Sequence, residues 1–358
     1  MQKMDPLVSR RITWIRSIFC ILVVYVHCRN TRWFDVNTAP GIATLENRLC
    51  DIFAIIAVPA FFFISGYLFF RNYQPDQLLR KWKNRLFTLV IPFILWNLIY
   101  YLAEILVRVL PFTAGAFSGT EISVTFQGIL EAVFNYKYLP SFWFMQYLII
   151  YTLLAPVIYF LLKKRIAGFM TILLVIAATV GFTMQQPAGW ALFPLLLLQY
   201  IPAYLTGCYA SLHMKKMFEE RPIPVWKGMI FGLLSAALIL WQLLKPSFFS
   251  LEAIRLFIGA FLWLFLGMIS FPKPARFMQY TFFLYAAHLM IAKIINMGIA
   301  IKVNNHMITG GITWLLLPAV IVGICTLTGI LFERFLPHAA FLLGIGGKPG
   351  KNSQNAVK

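Results

Sequence analysis

Charge is what this chain has least of. Only 12% of its 358 residues are charged, and the acidic share is thinner still, with 12 Asp and Glu against 31 Lys and Arg. A soluble globular domain is about half apolar and about a quarter charged, whereas 60% of this chain is apolar. A soluble fold of this length has too little interior to hide that excess, so lipid is the solvent for most of the chain. Cysteine is scarce as well. Cys20, Cys28, Cys50, Cys208 and Cys325 show neither the paired spacing of a metal cluster nor that of a disulfide framework, and no metal site is expected. Cys20, Cys208 and Cys325 fall in apolar runs and read as packing residues; a bond between Cys28 and Cys50 across an oxidising exterior stays open.

The basic stripe interleaved with aromatics that a nucleic-acid surface needs is missing too. The net charge of +19 comes in short bursts between apolar runs, so it reads as topology rather than as a nucleic-acid partner. The basic N-terminal stretch leads into an apolar run without a small-residue cleavage site, and is read as a retained first helix.

What is present is a succession of apolar stretches of spanning length. They place helices near 12–29, 52–70, 86–108, 142–162, 167–184, 190–212, 227–244, 254–270, 277–300 and 311–333. Lipid demands that every backbone polar group be satisfied within the segment, so the expected fold is all-α: a polytopic bundle of about ten transmembrane helices. Connections on one side carry 22 basic residues and those on the other carry 8, with Lys293 inside a span; this bias places both termini in the cytoplasm. One membrane domain over 1–345 is expected, with a polar, disordered tail over 346–358. The longest connection, about 110–140, is expected to fold over the outer face.

The first helix holds the sharpest chemical signal, Arg16-SIFCILVVYV-His27. Eleven residues at 100° leave a residual of about 20°, so both side chains share a face about 16 Å apart along the axis. Ionisable groups at membrane depth usually face a cavity or a partner. A snorkelling Arg16 and a His27 hydrogen-bonded near the headgroups would satisfy the same spacing. A second histidine, His288, lies about 18 Å past Arg276 if helical, with Tyr285 one turn before it on nearly the same face. It is therefore expected at a depth similar to that of His27, although a bond between helices would explain it equally. The stretch from Arg71 to Arg85 gathers Arg71, Arg80, Lys81, Lys83 and Arg85. Such groups suit phosphate recognition, and also serve as a topology signal or an anionic-lipid contact.

These pieces, with Val58-PAFFFISGYLFF, Arg80-KWKNRLFTLVIPF, Ser141-FWFMQYLIIYTLLAPVIY and Phe283-LYAAHLMI, stand in the order in which the chain resembles acyltransferase family 3, from about Arg11 to His288. The resemblance implies a bacterial inner-membrane O-acyltransferase. Such enzymes take an acyl group, acetyl above all, from cytoplasmic acyl-coenzyme A to a cell-surface polysaccharide or its lipid-linked precursor. It implies His27 as the essential histidine and Arg16 as its partner on the coenzyme A route. Arg85 matches the basic position before the third span, with Arg80 and Lys81 expected beside Arg16 and Arg85 in binding the coenzyme, and Tyr285 and His288 match a late Tyr-x-x-His element. Ser65 and Gly66 match a Ser-Gly motif, and Trp143 and Phe144 a Trp-Phe pair. Gln146 stands where the family often has arginine. The expected partners are acetyl-coenzyme A, a glycan acceptor and membrane lipid. A transporter or flippase would also use buried polar groups as a path, but gives no reason for this order of motifs.

Overall fold

The computed structural model describes residues 4–109, 122, 124–184 and 192–346. Helix α1 (Pro6–His27) is started by Asp5, whose carboxylate accepts the Leu7 N–H at 2.8 Å, and by Pro6, whose fixed φ suits a first turn. A long α2 (Pro40–Phe70) follows. Then α3 (Leu78–Arg85) passes through a π-helical turn, Leu86–Val90, into α4 (Ile91–Val109). Beyond α5 (Phe126–Phe134) come α6 (Trp143–Leu153), α7 (Ala155–Leu162), α8 (Arg165–Met184), α9 (Leu192–His213) and the short α10 (Lys215–Phe218). The chain continues through α11 (Val225–Leu244), α12 (Phe248–Leu266), α13 (Thr281–Lys302), α14 (Met307–Phe335) and α15 (Pro337–Leu342). Among the described residues there is no strand, only an isolated bridge between Asp35 and His306.

Helical segments lie near the expected spans, and among the described residues seven, not ten, are long and apolar enough to cross a membrane. An eighth is reached if α6 and α7 form one broken span, bent by 63°. Pro156 explains the break: it has no N–H for the Thr152 carbonyl and its ring crowds that oxygen. The Trp82 indole N–H donates to the Thr152 carbonyl instead, at 2.9 Å. Helix α1 is outside the seven because Arg10, Arg11 and Arg16 all fall within its 22 residues. Helices α8 and α11 present mostly exposed apolar side chains, Leu174 and Leu233 among them, as lipid-facing helices do.

The basic connections meet at one end of the bundle. Arg11 donates to the Phe218 and Glu220 carbonyls, Trp14 to Pro272, and Lys215 to Asn72. Arg71 forks onto Glu219 at 2.6 and 3.0 Å, which holds its guanidinium above its ordinary pKa. At the other end Asn30 takes the Glu46 carboxylate on its backbone N–H at 2.6 Å, and Lys293 pairs with Glu104 at 2.7 Å. The contact between α2 and α9 is made by glycine on both sides. A Cβ on Gly66 would strike the Tyr204 carbonyl, and one on Gly207 the Phe63 carbonyl, so small residues let the backbones touch. All five cysteines are free and buried, Cys28 and Cys50 included. Of the expected outer connection, 110–121 and 123 lie outside the described residues, as does the tail from 347 onward.

Candidate active site

A cavity of about 230 Å³ runs between α1, α2, the end of α3 with its π-helical turn, α6 and α13. Arg16 and His27 both line it, so the helical arithmetic for α1 holds in space. Arg85 enters from the end of α3, and Tyr285 from α13. Arg16 is exposed and lines the cavity, so its side chain projects into that space. Neither Arg16 nor Arg85 has a hydrogen bond or an ion pair among the described residues; Arg85 rests over the Phe69 ring at 5.6 Å. Two free guanidiniums in one cavity can hold a polyanion.

The wall is aromatic. Trp143 and Phe144 both line it, and Phe144 packs on Phe62 with ring centroids 4.6 Å apart. Tyr285 stacks on Phe142 at 5.5 Å, and its hydroxyl donates to the Ser141 carbonyl at 2.5 Å. That bond makes Tyr285 a rigid wall with its proton already placed.

His288 sits behind His27, fully buried, with ring centroids 5.0 Å apart. Its Nδ1 lies 2.7 Å from the Tyr285 carbonyl, and its Nε2 has no partner. A carbonyl only accepts, so the bonding assigns the proton to Nδ1 and a lone pair to Nε2. The Tyr100 hydroxyl donates to the Ala286 carbonyl at 3.0 Å and accepts from the Met290 N–H at 3.1 Å, the two groups that an α-helix would join to each other. Tyr100 thus braces α13 on both sides of His288.

The sequence model of a family described as an acyltransferase domain matches residues 9–333. That is most of the chain, on the order of motifs already noted. The chain belongs to acyltransferase family 3. No curated protein and no solved structure matches it. The protein is therefore a multi-pass membrane acyltransferase.

In this family 3 acyltransferase the structure brings together Arg16, His27, Arg85 and Tyr285, with His288 at their back. It does not bring Arg80 and Lys81 into the lining. Arg80 is exposed on the far side of α3. Lys81 donates to the Phe69 carbonyl and sits over the Phe69 ring at 5.1 Å, so it neighbours Arg85 only through that ring. Gln146 also lies outside, donating to the Phe134 carbonyl at 2.8 Å. Sequence reasoning missed Cys20, Thr88 and Thr281, which line the cavity. For Thr88 a signal existed: Pro92 cannot donate to the Thr88 carbonyl four residues earlier. The π-helical turn that absorbs this is a feature often found at functional sites.

Proposed function

We propose that this acyltransferase moves an acetyl group from cytoplasmic acetyl-coenzyme A to a hydroxyl of a cell-surface polysaccharide or its lipid-linked precursor, in the inner membrane of a bacterium. The chain crosses the membrane ten times with both ends inside. The observation that carries the reading is a single cavity with two arginines unpaired among the described residues, Arg16 and Arg85, and with His27 on the same face of α1 as Arg16. On the positive-inside reading the basic end is cytoplasmic. The coenzyme's phosphates bind Arg16 and Arg85 there. The cavity is smaller than the roughly 300–1,000 Å³ of drug-sized ligand sites, which suits the thioester arm and leaves the nucleotide at the mouth.

His27 then acts as general base. Its imidazole takes the proton of the acceptor hydroxyl as the oxygen attacks the thioester carbonyl carbon. The carbon–sulfur bond breaks, and His27 returns the proton to the departing sulfur, giving the ester and free coenzyme A thiol. For this an N–H of His27 turns onto the free Nε2 of His288, which leaves the other ring nitrogen of His27 bare toward the cavity. The test is purified protein with labelled acetyl-coenzyme A and a glycan acceptor. Thiol release that requires the acceptor and vanishes in His27→Gln supports the reaction. Movement of acceptor across a vesicle membrane without thiol release would replace it with transport.

A further inference from the structure

A second cavity, of about 680 Å³, opens at the His27 end of the bundle. Its floor is laid by Tyr100, Leu289 and Met290. Tyr100 is the residue whose hydroxyl grips α13 on both sides of His288, and Leu289 and Met290 directly follow that histidine. The two cavities therefore lie on opposite sides of the histidine pair. They share no lining residue.

Its walls are cationic. Arg32, Arg108, Lys137 and Lys293 line it, and Glu104 is the one carboxylate among the described lining residues. Lys293 pairs with Glu104 at 2.7 Å, and Lys137 pairs with Glu131 at 2.9 Å, which holds the Glu131 carboxyl below its usual range. Among the described residues neither of those carboxylates meets Arg32, and a concave surface that carries such a cation concentrates the opposite charge. Arg32 is exposed and has no carboxylate partner among the described residues; its guanidinium lies 4.8 Å over the Trp33 ring. Trp33 and Tyr138 both line the cavity, and each offers a flat apolar face with a polar tip. Flat rings beside fixed cations match a saccharide whose ring faces pack on aromatics while its acidic group meets arginine or lysine.

The geometry points to this cavity as the acceptor site, built for an acidic saccharide, one bearing a carboxylate or a phosphate. This rests on the acyl-transfer reading above for the word acceptor, and on the cavity's own residues for the ligand class. Arg32 binds the acidic group, Lys293 adds charge that Glu104 tempers, and Trp33 and Tyr138 hold the sugar ring.

Saturation-transfer-difference NMR on the protein in phosphatidylcholine nanodiscs tests it, with glucose, glucuronate and glucose 1-phosphate as probes. Both acidic sugars are expected to bind about tenfold or more tighter than glucose, the better of the two naming the carboxylate or the phosphate. Arg32→Gln should bring them down toward glucose, and Glu104→Gln, which removes the tempering charge, should strengthen them several-fold. Because Arg32 is exposed, its variant is expected to fold. Equal binding of glucose and the acidic sugars, or acidic-sugar binding indifferent to both variants, overturns the proposal. Acetyl-coenzyme A binding is measured on the same samples. If it persists while acid discrimination is absent, only this site falls. If it is absent while acidic sugars bind as expected, the transferase reading fails and the saccharide site stands.

Discussion

His27 and His288 meet with ring centroids 5.0 Å apart, yet only His27 faces the cavity, while the Nδ1 of His288 is held by the Tyr285 carbonyl at 2.7 Å. With Nδ1 donating, the bare Nε2 of His288 is an acceptor, and the ring beside it is His27. An N–H of His27 placed on that acceptor leaves the opposite ring nitrogen unprotonated toward the cavity, where a general base needs it. In the proposed reaction His288 would then position His27 rather than touch substrate.

Substitution at the two histidines should separate those roles. His27→Gln keeps hydrogen bonding but cannot act as a base near neutral pH. Its kcat should fall by about 10²–10⁴-fold, the usual contribution of general base catalysis, with acetyl-coenzyme A affinity unchanged. His288→Gln retains an oxygen acceptor for His27 and should lose about tenfold; His288→Leu offers none and should lose about a hundredfold. Steady-state kinetics decides, and ¹⁵N shifts of His27 should report a change of tautomer in His288→Leu alone. Near-normal turnover of His27→Gln in folded protein would remove the mechanism.

The two unpaired arginines predict a binding defect. Hydrogen bonds to charged groups contribute about 1.5–3 kcal/mol, so Arg16→Ala and Arg85→Ala should each weaken acetyl-coenzyme A by about 10- to 100-fold. Arg80→Ala, on an exposed residue outside the cavity, should change it by less than about twofold. Added salt should weaken the wild type, since charge attraction is screened. Calorimetric titration checks this, and unchanged affinity in both cavity variants would return Arg16 and Arg85 to topology signals.

Packing makes a separate prediction. Gly66→Ala and Gly207→Ala each drive a Cβ into a carbonyl of the facing helix, and neither backbone can retreat without opening the contact between α2 and α9. Both should lower the melting temperature strongly or prevent insertion. Gly298→Ala meets nothing within 4 Å and should be neutral or slightly stabilising, because alanine suits a helix better than glycine. Thermal denaturation in detergent reads all three.

The Trp82 indole bond gives a milder effect. Trp82→Phe keeps the ring packing but leaves the Thr152 carbonyl at the helix break without its donor. The expected loss is about 1–3 kcal/mol of stability. Pro156→Ala restores a backbone N–H for the same carbonyl and should rescue part of that loss in the double variant. No rescue would mean that the break does not arise from Pro156.

Topology is open to direct labelling. Cysteine reporters placed after Lys164 and Lys216 should be accessible only from the cytoplasm, and one after Asn305 only from outside. A reversed result at any of these sites would invert the assignment of donor and acceptor ends.

Sequence alone determined the class of fold, because apolar runs of spanning length in lipid leave the backbone no solution but helices. The 3.6-residue period also put Arg16 and His27 on one face of α1, a local relationship that no packing had to supply. The break at Leu154 lay unread in Pro156, since spanning helices often absorb a proline. Tertiary structure alone decided that His27 meets His288, 261 residues away, that Arg85 enters the cavity while Arg80 and Lys81 do not, and that a cationic cavity opens beyond α13. The physical reason is that apolar helix faces are nearly interchangeable to lipid. Which faces meet is settled by small residues such as Gly66 and Gly207, where two backbones can touch, and by the polar side chains that find partners once they do.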